Sequence, residues 1–273
     1  MADPRTRTAA AFSAVAPRYD SETETNPAVA HVRRLVYRRL GALWHTGDHV
    51  LEIGCGTGVE AAALARTGVR VTAMDIAPGM LAQAEVRCRD QGIGERVTLH
   101  RLGAADLSSL LSHYGPGAFA GAYSSFGPLN CEPDLVAVAE GLAALIRPKG
   151  RVLISAINRY HPFEFAWYAV HGEWRRAIRR WGGMAQGTVS PALPDRVTTY
   201  YYTPRAFARH FQPAFRVVGY RALLLALPPP YLAHLHGRFP RCWRLAEKLD
   251  GVLAGLPILR GLGDHFLIEL ERQ

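Results

Sequence analysis

Residues 50–65, "VLEIGCGTGVEAAALA", set the tightest limit on what this chain can fold into. An apolar run of strand length ends in three glycines at alternate positions, Gly54, Gly56 and Gly58, and an alanine-rich helical pattern follows at once. Glycine is the residue that reaches left-handed dihedrals without strain and lets a backbone approach another group closely. A strand that turns directly into a helix through such a loop presents free N–H groups and a helix N-terminus to a ligand. The stretch therefore predicts the first βα unit of an α/β fold with a ligand lying on the turn.

The following sequence repeats that unit. "VRVTAMD" reads as a strand, "PGMLAQAEVRCRDQG" as a helix and "RVTLHRLGAAD" as a strand. "GAFAGAYSSF" continues as a fourth strand, "PDLVAVAEGLAALIRPKG" as a helix with a Pro/Gly stop, and "GRVLISAIN" as a fifth strand. Alternation of this kind builds a parallel sheet with helices on both faces and a ligand beyond the carboxyl ends of its strands. After Asn158 the rhythm stops, and it resumes with a helix in "TPRAFARHF" and a strand in "FRVVGYRALLLAL". The interruption reads as an insertion over the site. The terminal "GDHFLIELER" alternates as a strand, and with no crossover helix after it the expectation is antiparallel pairing at the sheet edge. This gives four regions: residues 1–46 as an N-terminal helical lid segment, 47–157 as the core, 158–205 as an inserted lid, and 206–273 as the rest of the core.

A chain of 273 residues that is 49% hydrophobic can bury such a core. Its four cysteines, Cys55, Cys88, Cys131 and Cys242, form no CxxC pair, which fits reduced thiols in a cytoplasm and leaves no structural zinc site to expect. No apolar run is long enough to span a bilayer, so a soluble protein is expected. The net charge of +9 invites nucleic acid or an anionic membrane as partner, but an arginine-rich composition accounts for it equally well. No nucleic-acid partner is expected.

The glycine spacing, G-x-G-x-G, departs from the G-x-G-x-x-G of dinucleotide binders. Glu52 places a carboxylate near the strand end, where a pyrophosphate is repelled and a cation, such as a sulfonium, is not. Asp75 ends the second strand 75 − 58 = 17 residues beyond Gly58, where an acidic side chain meets the hydroxyls of a ribose. Met80 and Leu81, after Pro78, are apolar side chains able to cover an adenine, and Asp106 at the end of the third strand can accept its amino group.

Together, E-x-G-x-G-x-G, D-x-x-P-x-M-L-x-x-A and A-x-D resemble the class I S-adenosylmethionine-dependent methyltransferases over about residues 12–157. The resemblance implies a Rossmann-like, mostly parallel seven-stranded sheet with an antiparallel last strand. It implies S-adenosylmethionine as cofactor, with the glycine loop, Glu52, Gly54, Cys55, Gly56 and Gly58, on the methionine half. Asp75 and Ile76 fall on the ribose, Met80, Ala105 and Asp106 on the adenine, and Ser124 at the end of the fourth strand. "AFSAVAPRYD" is similar to the lid of ubiquinone and menaquinone C-methyltransferases, with Tyr19 placed to close over the methyl donor. No N/D-P-P-Y/F motif follows the fourth strand, which favours a small-molecule acceptor over a nucleobase or protein amide.

Methyl transfer from a sulfonium discharges a cation in line, so alignment and a dry pocket carry much of the rate. Phe126, Asn130, His161, Trp167 and Tyr202 are the acceptor-side candidates. If the acceptor is a phenol or enol a base would help, and His161, Tyr200, Tyr201, Tyr202 and His265 are the candidates. Phe163, Trp167, Val170, Trp174, Ile178 and Trp181 recur at helical spacing beside Arg175, Arg176, Arg179 and Arg180. They predict one amphipathic helix, either a lid or a peripheral membrane contact that brings a lipid or quinone acceptor. The rival readings are an NAD-dependent oxidoreductase, which the glycine spacing and the lack of a Tyr-x-x-x-Lys dyad disfavour, and a silent cofactor-binding subunit.

Overall fold

The computed structural model describes residues 3–187 and 197–273. Two helices lead the chain. α1 (Pro4–Glu24) starts on the Asp3 side chain, which accepts from Thr6 N, and α2 (Pro27–Leu43) starts on Asn26, which accepts from the N–H groups of Ala28 and Val29. Each has proline in its first turn, where no N–H is needed.

The alternation then appears, with a short helix not read from the sequence, α5, before the fourth strand and with the fifth strand starting inside the stretch read as helix: β1 (His49–Ile53), α3 (Val59–Ala65), β2 (Arg70–Asp75), α4 (Pro78–Asp90), β3 (Val97–Arg101), α5 (Leu111–Tyr114), β4 (Phe119–Ser124), α6 (Leu135–Leu145) and β5 (Ile146–Ile157). In α6, Leu135, Val138, Leu142 and Leu145 are buried at helical spacing, each worth about 1.5–3 kcal/mol of apolar burial. The chain continues with α7 (Pro162–Val170), α8 (Trp174–Ala177), β6 (Met184–Gly187), β7 (Val197–Tyr200), α9 (Pro204–Arg209), β8 (Phe215–Leu223), α10 (His234–Arg238), α11 (Pro240–Leu253) and β9 (His265–Arg272).

Seven strands form one sheet in the order β3-β2-β1-β4-β5-β9-β8. The first five run parallel, and β9 is antiparallel to both β5 and β8. One face packs on α2, α3 and Trp243 of α11, and the other on α6 and α9.

Three expectations change. β9 is antiparallel as expected but lies inside the sheet, because β8 takes the edge; the alternation of β9 fixed its strand character and not its neighbours. The helix expected through Trp181 is two short helices, since Gly172 at φ 73° ends α7 in the left-handed conformation. The inserted region also contributes a small antiparallel pair, β6 with β7; residues 188–196 of the expected insertion lie outside the described residues.

Candidate active site

The carboxyl ends of β1, β2 and β4 open into a chamber roofed by α1 and α2. Its floor is the glycine turn. Gly54, Gly56 and Gly58 all have positive φ, so each requires glycine for its dihedrals. Their surroundings differ. A β-carbon on Gly54 would overlap the Pro128 ring, whereas one on Gly56 would meet nothing within 4 Å. Gly56 therefore faces open space, a cradle that a ligand can fill.

Asp75 lines the same chamber. Its Oδ2 accepts from Gly56 N at 2.8 Å and its Oδ1 from Ala77 N at 2.9 Å. Burial raises its pKa, while these amides work against the rise. Each oxygen retains a second lone pair, the acceptor set that the two hydroxyls of a ribose donate to. Ile76, Met80, Gly103 and Ala104 continue the wall with apolar surface suited to an adenine. These residues fit an adenosine-bearing cofactor.

α1 closes the chamber. Phe12 and Tyr19 line it, and Ala16 between them is buried. Asp20 takes a 2.6 Å hydrogen bond from the Thr57 hydroxyl of the glycine turn and an ion pair from Arg87 of α4. Arg5 reaches Glu132 at 2.9 Å and Asp106 at 3.6 Å. The F-x-x-x-A-x-x-Y-D pattern is thus two wall residues, a packing residue and a latch.

The expected site residues divide. Tyr19, Gly54, Cys55, Gly56, Asp75, Ile76, Met80, Phe126 and His265 line the chamber. Gly58 closes the turn against Ala84 of α4, and Ala105 and Asp106 do not line the chamber, although neighbouring Gly103 and Ala104 do. Glu52 does not line the chamber: its carboxyl is buried beneath the turn against Tyr123, and burial and nearby Glu60 push its pKa well up. Ser124 points back to Ile53 O at 2.9 Å, and neighbouring Ser125 takes its place in the wall. Asn130 clamps backbone, donating to Ile157 O and Tyr200 O and accepting from Ile157 N.

His161, Trp167 and Tyr202 also lie outside the chamber lining. Trp167 stacks on Phe163 and His171, and Tyr202 packs on Phe207 and His210. Burial lifts the Tyr202 pKa to about 12. Tyr200 lends its carbonyl to Asn130, and Tyr201 is buried under Arg180. His161 is sealed between Glu164 and Asp264, at 3.9 and 3.8 Å. These three groups lie close enough to suggest a cation, and Arg180 supplies it: its guanidinium ion-pairs with Glu164 and lies 2.6 Å from Asp264 Oδ1.

Sequence reasoning missed Arg5, Arg33, Glu60, Glu132 and Asp264. Arg33 pairs with Glu60 at 2.8 Å and lies over the Phe126 ring, so it shapes the wall from α2. The one legible signal was the adjacent Asp264 and His265, an acid beside a candidate base.

Fold and site together define a Rossmann-like binder of an adenosine-bearing cofactor. Comparison with known proteins narrows this. A family profile described as a methyltransferase domain matches residues 50–150. The ubiquinone biosynthesis O-methyltransferase of Xylella fastidiosa (strain 9a5c) is 36% identical over 114 residues, 42% of this chain and 44% of that protein. Its counterpart in Sodalis glossinidius (strain morsitans) is 32% identical over 155 residues, 55% of this chain and 58% of that protein. The matches thus span about half the length of these relatives.

Among solved structures, the Burkholderia thailandensis 1,6-didemethyltoxoflavin-N1-methyltransferase with bound 1,6-didemethyltoxoflavin and S-adenosylhomocysteine has a TM-score of 0.56 at 18% identity, covering 100% of this chain and 92% of that one. The [4+2]-cyclase SpnF has a TM-score of 0.54 at 13% identity, covering 87% and 80%. At such identities the likeness is one of fold, and a fold does not dictate a reaction. Residues 50–150 thus match a methyltransferase domain, and the chamber that they build fits S-adenosylmethionine as its cofactor.

Proposed function

We propose that the chain transfers a methyl group from S-adenosylmethionine to a small aromatic or apolar acceptor, and that the acceptor atom is an oxygen. The observation that carries this is the chamber itself, which runs from the Gly56 cradle to a wall of Phe12, Tyr19, Phe126, Val29 and Pro230 beside one imidazole, His265. The named relatives are O-methyltransferases of ubiquinone biosynthesis, which supports a hydroxylated ring as acceptor. When bound, the cofactor supplies an electrophilic methyl on a sulfonium. The glycine turn and Asp75 fix its position, α1 excludes water, and the aromatic wall orients the acceptor in line, where alignment contributes most to the rate.

Calorimetric titration of S-adenosylhomocysteine and NADH into wild type and Asp75→Ala tests the cofactor. Binding of the former alone, weakened by the substitution, is expected; binding of NADH alone would overturn the reading. Formation of S-adenosylhomocysteine from a panel of phenols, quinols and amines tests the acceptor.

A second reading, action at a membrane surface, is favoured by exposed apolar groups beside arginines. Val170, Trp174, Ile178 and Trp181 are exposed near Arg175 and Arg176, and α11 turns Leu245, Leu249 and Val252 to solvent. Among the described residues no helix is long and apolar enough to cross a membrane, so such contact would be peripheral. Sedimentation with anionic vesicles at low salt, reduced by Arg175→Glu with Arg176→Glu, is expected; failure of the wild type to sediment would end this reading.

A further inference from the structure

His265 opens β9, paired with Ile157 at the end of β5 and Leu223 at the end of β8, so its ring stands at the ligand-binding edge of the sheet. It lines the chamber, and its Nδ1 lies 2.7 Å from Asp264 Oδ2. Asp264 is 2% exposed, and its other oxygen is held by Arg180 at 2.6 Å. Burial alone would raise this carboxyl, but Arg180, His265 and His161 together hold it well below the usual carboxylate range. An ionised carboxylate beside Nδ1 accepts its proton, which makes Nε2 the unprotonated nitrogen.

The other charged groups of the chamber are committed. Arg33 pairs with Glu60, Arg5 with Glu132 and Glu22 with Arg18, while Asp75 is held by amides. Burial pushes the Cys55 thiol well up and the Cys131 thiol to about 12, which removes both as bases near neutrality. Behind His265 stand Asp264, Arg180, Glu164 and His161; Tyr19 is the remaining titratable side chain in the wall.

We infer that His265 is the general base that deprotonates an acceptor hydroxyl, with Asp264 as its positioning residue and Arg180 paired to Asp264 behind it. The substrate class is a phenol or enol, and the inference rests on the methyl-transfer reading above. Nε2 takes the O–H proton as the oxygen forms its bond to the methyl carbon. The carbon–sulfur bond breaks with its electron pair going to sulfur, giving a methyl ether, neutral S-adenosylhomocysteine and an imidazolium that returns its proton to water. An amine acceptor would need no such base.

The test uses phenols of graded acidity with the full chain. His265→Gln is expected to bind S-adenosylhomocysteine as wild type does and to lose about 10²–10⁴ in kcat at neutral pH, the usual contribution of a positioned base. The loss should shrink for phenols acidic enough to ionise unaided, and the acid limb of the wild-type kcat profile should disappear. Equal loss across the series, or retained activity, would overturn the inference. Turnover of amines but of no phenol would overturn it too, and would leave methyl transfer standing; failure to bind S-adenosylhomocysteine would sink both. Imidazole nitrogen NMR supplies a readout independent of turnover. The Nδ1–H tautomer of His265 is expected in wild type and its loss in Asp264→Asn, whereas an Nε2–H tautomer in wild type would overturn the assignment.

Discussion

Two buried carboxyl centres flank the reaction chamber, and their pKa values are pushed in opposite directions. Under the glycine turn, Glu52 sits against a phenol with Glu60 nearby, and burial raises its pKa so that the neutral acid is favoured. On the far side, Glu164 and Asp264 are equally buried, but Arg180 lies between them and both are held below their ordinary range. Depth is the same in the two places. The partner decides the direction, because burial penalises every ion and only a well-placed opposite charge offsets that penalty.

Removing the partner should break the contrast most. Arg180→Met leaves two anions buried without compensation, and a loss of about 3–5 kcal/mol in denaturant unfolding is expected. In the wild type, carboxyls with depressed pKa contribute stability above their unfolded values near pH 4, and that stability is lost as pH falls through the lower folded values. Acid unfolding should therefore report the Arg180 side.

Asp75 is a third case, held by amides rather than a cation. Its replacement by alanine should cost S-adenosylhomocysteine affinity by about 1.5–3 kcal/mol, the worth of hydrogen bonds to a charged group, read by calorimetry. Gly56→Ala sharpens the point about the turn. With φ at 53° the strain is about 1–2 kcal/mol, but the added carbon projects into open space, so cofactor affinity should fall more than melting temperature. Gly54→Ala, crowded by Pro128, should show the reverse order.

The smallest effect is expected at Glu52→Gln. A raised carboxyl contributes stability below its unfolded value near pH 4.3, and that stability is lost as pH rises through the folded value. The amide mimics the neutral acid, so the variant should match wild type at low pH and exceed it by up to about 1 kcal/mol in mildly alkaline urea titrations.

The same contrast explains what could be read in advance. The glycine turn, Asp75, Ile76 and Met80 follow one another along the chain, so their spacing and the family resemblance it carries pointed to one ligand, and they line one chamber. The proposed base His265 and the charges behind it, Glu164, Arg180 and Asp264, are contributed by α7, the turn after α8 and the start of β9. No local period joins them. His161 and Tyr202 looked equivalent to His265 as sequence, and only the strand order, which brings β9 beside β5, puts His265 alone in the wall. The helix expected through Trp181 failed for a related reason: apolar spacing was visible, but the left-handed Gly172 outweighed it.

The Asp20 latch fastens three elements at one point. One carboxylate joins α1 to the floor of the cofactor cradle through Thr57 and to α4 through Arg87. A change at Asp20 therefore loosens the helix that carries Phe12 and Tyr19 from the glycine turn and from α4 together.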